Sequence, residues 1–89
     1  MAAQTKNYLK AIYSRCPHIP ETELQDMANE IDPYIGSLLY YSFINQASYE
    51  SVEDKAMREG TIVPICRNSF YIKRRKYINH IMQRLAAAW

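Results

Sequence analysis

The residues of this 89-residue chain that could do chemistry gather near its end. Arg67, Asn68, Ser69, Lys73, Arg74, Arg75 and Lys76 fall within ten positions, interleaved with Phe70, Tyr71 and Ile72. Guanidinium and ammonium groups neutralise phosphates, an asparagine can grip adenine with two hydrogen bonds, an arginine can do the same with guanine, and an isoleucine can touch a thymine methyl. That is binding chemistry. Catalytic chemistry has little to build on. His18 lies beside Pro17 in a proline-rich turn, His80 falls inside a long helical pattern, and neither has a neighbour that would activate a nucleophile. Two glycines are too few for a phosphate-cradling loop. Cys16 and Cys66 are isolated thiols without a C-x-x-C or a histidine at ligand spacing, so neither a disulfide framework nor a metal site is expected, and both should be reduced. The expectation is therefore no enzyme, no metal and no cofactor.

The elements that must position these residues all read as helices, because apolar residues recur at helical spacing and strict alternation is not sustained anywhere. Leu9, Ile12, Tyr13 and Cys16 form a first stripe, which stops at Pro17. A second helix starts at Pro20, with Glu21 and Glu23 suited to the positive end of the dipole, and carries Leu24, Met27, Ala28 and Ile31. Asp32 then Pro33 predicts the cap and first position of a third, lined by Ile35, Leu38, Leu39 and Phe43 and ending near Asn45. Ser48 caps a fourth, which buries Tyr49, Val52, Ala56 and Met57 and closes at Gly60. Pro64 makes Thr61 to Ile65 a turn or short extended connection. From Arg67 to about Ala87 there is no Gly or Pro, and Phe70, Tyr77, Ile78, Ile81 and Leu85 keep one side apolar. This predicts one all-α domain over residues 1–89 with about five helices, an N-terminal part at 1–31 and a motif-bearing part at 32–89.

Turned at roughly 100° per residue, the last helix sets Asn68, Tyr71, Ile72, Arg75, Lys76 and Asn79 opposite the apolar side, with Ser69 and Lys73 at one edge. Arg74 falls on the apolar side, where it should snorkel or pair with Glu53 or Asp54. A basic run is ordinarily a solvated face, and Asn68 and Ser69 are ordinary first-turn residues. Against that bland reading stand the absence of any acid from residue 60 onward and the capped helix just upstream. A capped helix, a connection and a basic helix come in the order of a helix-turn-helix, whose second helix enters the major groove.

The stretch from Ile31 to Leu85, about 55 residues, resembles the C-terminal part of phage regulators of late-gene transcription of the ArpU and RinA type, which are similar to region 4 of sigma factors. The likeness rests on the aromatic-rich "LLYYSFIN", on "SYESVEDKA" and on "ICRNSFYIKRRKYI", of which "SFYIKRRK" is the most specific piece. It implies that Phe70 anchors the recognition helix in the core and that Arg67, Asn68, Ser69, Tyr71, Arg75 and Lys76 face DNA. It also implies promoter binding and help to RNA polymerase in starting there, as an activator. The chain departs from the pattern in two places. Cys66 stands where a capping serine is usual, and Gly60 to Cys66 is longer than a standard three- or four-residue turn.

The net charge of +2 hides a strong asymmetry. Residues 1–20 carry +3, residues 21–59 hold all nine acids and carry −7, and residues 60–89 carry +6. A basic, acid-free end suggests a polyanion. Double-stranded DNA is the expected partner, contacted by Arg67, Asn68, Ser69, Tyr71, Ile72, Lys73, Arg75 and Lys76. The competing expectation is a small adaptor or inhibitor that docks on RNA polymerase, a repressor or a host defence protein, since the acidic middle suits a basic partner and eight tyrosines suit an interface. Of the adjacent pair Tyr40 and Tyr41, only one should be deeply buried. No apolar run reaches the ~18 residues of a membrane span and no secretory leader is evident, so a cytoplasmic protein is expected. A dimer would suit half-site reading, but nothing in the sequence specifies the oligomeric state.

Overall fold

The computed structural model describes residues 11, 12, 14 and 19–87. Among them are four helices and no strand: α1 (Glu21–Ile31), α2 (Gly36–Asn45), α3 (Tyr49–Arg58) and α4 (Arg67–Ala87). The all-α expectation is met. Of the expected first helix, Ala11 and Ile12 are helical and Ile12 is buried, whereas Leu9, Tyr13 and Cys16, like His18, lie outside the described residues. No helix among the described residues is long and apolar enough to cross a membrane.

The helix boundaries follow local chemistry, with two corrections. Pro20 is the extended residue before α1 rather than its first helical residue, and its carbonyl accepts the Leu24 amide at 3.1 Å. Asp32 and Pro33 do not open α2. The Asp32 Oδ1 accepts the Tyr34 amide at 2.8 Å and its carbonyl accepts the Ile35 amide at 3.2 Å, so the pair builds a turn that delays the helix to Gly36. The side chain makes the bond of a cap, but the carbonyl of Asp32 closes a tight three-residue turn, and the four-residue pattern of α2 begins only with the Leu39 amide on the Ile35 carbonyl at 2.9 Å. The two later signals hold. Ser48 Oγ accepts the Ser51 amide at 3.2 Å. Gly60 has φ of +77°, and the Thr61 amide reaches back to the Ala56 carbonyl at 2.8 Å, the closure that a left-handed residue permits.

One core holds all four helices. Leu24, Met27 and Ala28 of α1, Leu39 and Phe43 of α2, Val52 of α3, and Phe70, Tyr77, Ile78 and Ile81 of α4 are buried together with Ile12, Ile19, Ile35 and Ala47. The Tyr77 ring meets Phe43 edge-on at 5.8 Å and its hydroxyl donates to the Leu24 carbonyl at 2.9 Å, so one residue of α4 ties α1 and α2 together. Met57, expected inside, is 66% exposed. It sits one position past the Val52 and Ala56 stripe, and a ten-residue helix packed along one edge buries too narrow an arc to include it. Tyr40 and Tyr41 are both half-buried, so neither takes the deep position.

Candidate nucleic-acid interface

Three hydrogen-bonding groups set the start of α4. The Phe70 amide donates to the Cys66 carbonyl at 2.9 Å, closing the first turn. Cys66 Sγ lies 3.3 Å from Ser69 Oγ. The Ser69 hydroxyl, then the Ser69 and Asn68 amides, hold the exposed Cys66 thiol below the usual cysteine range, because donors at a helix start favour the thiolate. Ser69 is thereby half-buried in the cap. The starts of α3 and α4 are brought to the same end of the molecule. Tyr49 Oη donates to the Ile65 carbonyl at 3.0 Å, the Tyr49 amide donates to Tyr71 Oη at 2.9 Å, and Arg67 Nε lies 3.2 Å from Glu50 Oε1. The Phe70 ring is fully buried, tilted against Tyr49 at 5.5 Å and edge-on to Tyr71 at 5.7 Å.

The cations of α4 fall into three groups. Arg74 is buried at 6% exposure and, contrary to expectation, neither snorkels nor meets Glu53 or Asp54. Its Nη1 donates to Ser42 Oγ at 3.2 Å and to the Ala47 carbonyl at 3.1 Å, and its guanidinium lies 4.6 Å from the centre of the Tyr71 ring. Asp54 pairs with Arg58 instead. Gln46 adopts the left-handed conformation that ends α2, just before the Ala47 carbonyl that meets Arg74, and the negative end of a helix dipole suits a cation. Burial pulls the guanidinium below its ordinary pKa, and the Tyr71 side chain opposes that shift.

A second group lines the edge facing α1. Lys73 Nζ lies 3.1 Å from Asp32 Oδ2, His80 Nε2 lies 3.1 Å from Glu30 Oε2, and Arg84 pairs with Glu23. Partner numbers fall along α1 as they rise along α4, so the helices run antiparallel. The Tyr34 amide first, and the Lys73 ammonium second, hold the Asp32 carboxyl below the usual aspartate range.

The third group is the solvent face. Asn68, Ile72, Arg75, Lys76, Asn79, Met82 and Gln83 are all exposed and share one stripe. Arg75 and Lys76 pair with no carboxylate among the described residues. Of the eight residues expected to form the interface, four stand on this stripe: Asn68, Ile72, Arg75 and Lys76. Ser69 and Tyr71 are engaged in holding the helix starts, Arg67 leans to Glu50, and Lys73 is turned to Asp32. Met82 and Gln83 extend the stripe, and turning the helical wheel past Asn79 would have found them. Glu23, Glu30 and Asp32, the acids that meet α4 along its α1 edge, carry no sequence signal of their own, because pairing across 41 to 61 positions is a product of the fold. No protein-family model, curated protein or solved structure matches the chain.

Proposed function

We propose that this protein binds duplex DNA through the solvent face of α4 and acts as a small transcription regulator, with α3 and α4 as the two helices of a helix-turn-helix. The observation that carries the reading is the acid-free stripe along a 21-residue helix, roughly 30 Å long, on which Arg75 and Lys76, without a carboxylate partner among the described residues, stand between the amides of Asn68 and Asn79. The closeness of the two helix starts adds to it, because a helix start favours an anion nearby. Arg67 can join, since its exposed pair with Glu50 holds it by only about 0–1 kcal/mol and a phosphate can replace the carboxylate. The resemblance to phage late-gene regulators and to sigma region 4 supports the finer reading, a promoter-binding activator that works with RNA polymerase.

Salt dependence tests this directly. Random duplex DNA should be retained at low salt, and Arg75→Ala with Lys76→Ala should lower the log–log slope of affinity against salt by about 1.8, at ~0.9 for each phosphate left without its cation. Absence of retention by the folded wild-type protein at low salt defeats the proposal. The adaptor reading has its own support in Met57, Ile62 and Ile72, apolar side chains that are more than half exposed. Stoichiometric recovery of one protein without a DNA signal would favour it.

A further inference from the structure

Two acids of α1, Glu23 and Glu30, and Asp32 just beyond its end face the basic helix, and holding the two helices together does not explain them. Leu24, Met27 and Ala28 are buried against the core and Tyr77 Oη bonds the Leu24 carbonyl, so the contact between α1 and α4 has its own apolar and hydrogen-bonded basis. Partly exposed ion pairs add little to such a contact. Their effect on charge is larger. The positive charges of Lys73 and Arg84 are each met by a carboxylate, and His80 is met by Glu30. Lys73 and Arg84 retain partial exposure, at 31% and 40% of their side chains, so their donors stand within reach of the surface.

We propose that the acid row Glu23, Glu30 and Asp32 is an autoinhibitory contact, occupying the flank of α4 as phosphates would and limiting the affinity of this helix for DNA. It rests on the DNA-binding reading given above. Without the acids, Lys73 and Arg84 would add a second row of phosphate contacts beside Arg75 and Lys76. With them, the duplex is held by few charges, which favours release and leaves discrimination to the stripe of Asn68, Ile72 and Asn79.

The test compares two variants with the same change in net charge. Glu23→Gln with Asp32→Asn uncovers Lys73 and Arg84, and an asparagine at 32 still offers an oxygen to the Tyr34 amide. Glu21→Gln with Asp26→Asn neutralises two exposed acids of α1 that pair with no residue of α4. Circular dichroism first establishes that both retain the wild-type helical signal. Against a random duplex, the first variant is expected to bind roughly ten-fold more tightly at low salt and to steepen the log–log slope by up to about 1.8, for two added phosphate contacts. The second is expected to change affinity by a smaller factor and to leave the slope as it is. Equal behaviour of the two variants, with wild type bound to DNA, overturns autoinhibition while the binding reading stands. Failure of the folded wild type to retain duplex at low salt overturns the binding reading and this proposal with it.

Discussion

Arg74 shows how far a side chain's role can depart from its type. It belongs to a run of four consecutive cations, yet it is the one that reaches inward and joins the end of α2 to α4 through Ser42 Oγ and the Ala47 carbonyl. The Ser42 hydroxyl itself donates to that carbonyl at 2.7 Å, so both acceptors belong to one small closed network. Truncation removes two charge-assisted bonds and the packed stem. Arg74→Ala should lower unfolding free energy by about 2–4 kcal/mol in urea titration, and Arg75→Ala beside it by less than about 0.5 kcal/mol. Equal effects would mean that the inward contact contributes nothing. Asp32 yields a pH prediction. Its carboxyl is held below the ordinary value in the folded chain, so its contribution to stability is present above about pH 4, the unfolded aspartate value, and is lost as pH falls through the lower folded value. Wild type should exceed Asp32→Asn in stability at neutral pH, and the gap should narrow on acidification. A gap that is constant or widens as pH falls would contradict the assignment.

At the scale of elements, the two glycines do different work. Gly60 takes φ of +77° at the end of α3 in open space, so an alanine there meets only the backbone penalty of the left-handed region, about 1 kcal/mol. Gly36 opens α2 against α1, where an added Cβ would fall 1.9 Å from Asn29 Oδ1 and 2.9 Å from Asn29 Cα. The amide oxygen can swing away, but the backbone atom cannot, so α1 and α2 must separate. Gly36→Ala should therefore cost more than Gly60→Ala, about 2 kcal/mol or above against ~1 kcal/mol, measured by thermal or urea unfolding. The reverse order would show that α2 is free to shift. Only one of these roles is legible in the sequence. A glycine that follows the last turn of a capped helix is a recognisable stop signal, whereas Gly36 reads as a residue inside a helix opened by Asp32 and Pro33.

For the molecule as a whole, the relevant quantity is charge after folding. The +6 of residues 60–89 falls to two exposed cations without a carboxylate partner among the described residues, because Arg74 is buried and Arg67, Lys73 and Arg84 each meet an acid from the −7 segment. Arg75→Ala with Lys76→Ala removes both of these. It should leave the unfolding midpoint within the scatter expected of surface substitutions, about ±0.5 kcal/mol, while flattening the salt dependence of DNA retention. Loss of stability comparable with Arg74→Ala would show that the stripe is structural.

The helical class, the long uninterrupted α4, the Ser48 cap, the Gly60 stop and the inward side of Phe70, Tyr77 and Ile81 were all determined by the sequence alone. Each depends on neighbours within a turn or two, which is the range over which spacing and capping act. Which cations remain available was decided only in the tertiary structure. Lys73 and Arg75 are two residues apart and chemically alike, yet one meets Asp32 across 41 positions and the other meets solvent. That difference arises because α1 packs antiparallel along one edge of α4, and the packing of two helices distant in sequence leaves no trace in the spacing of either.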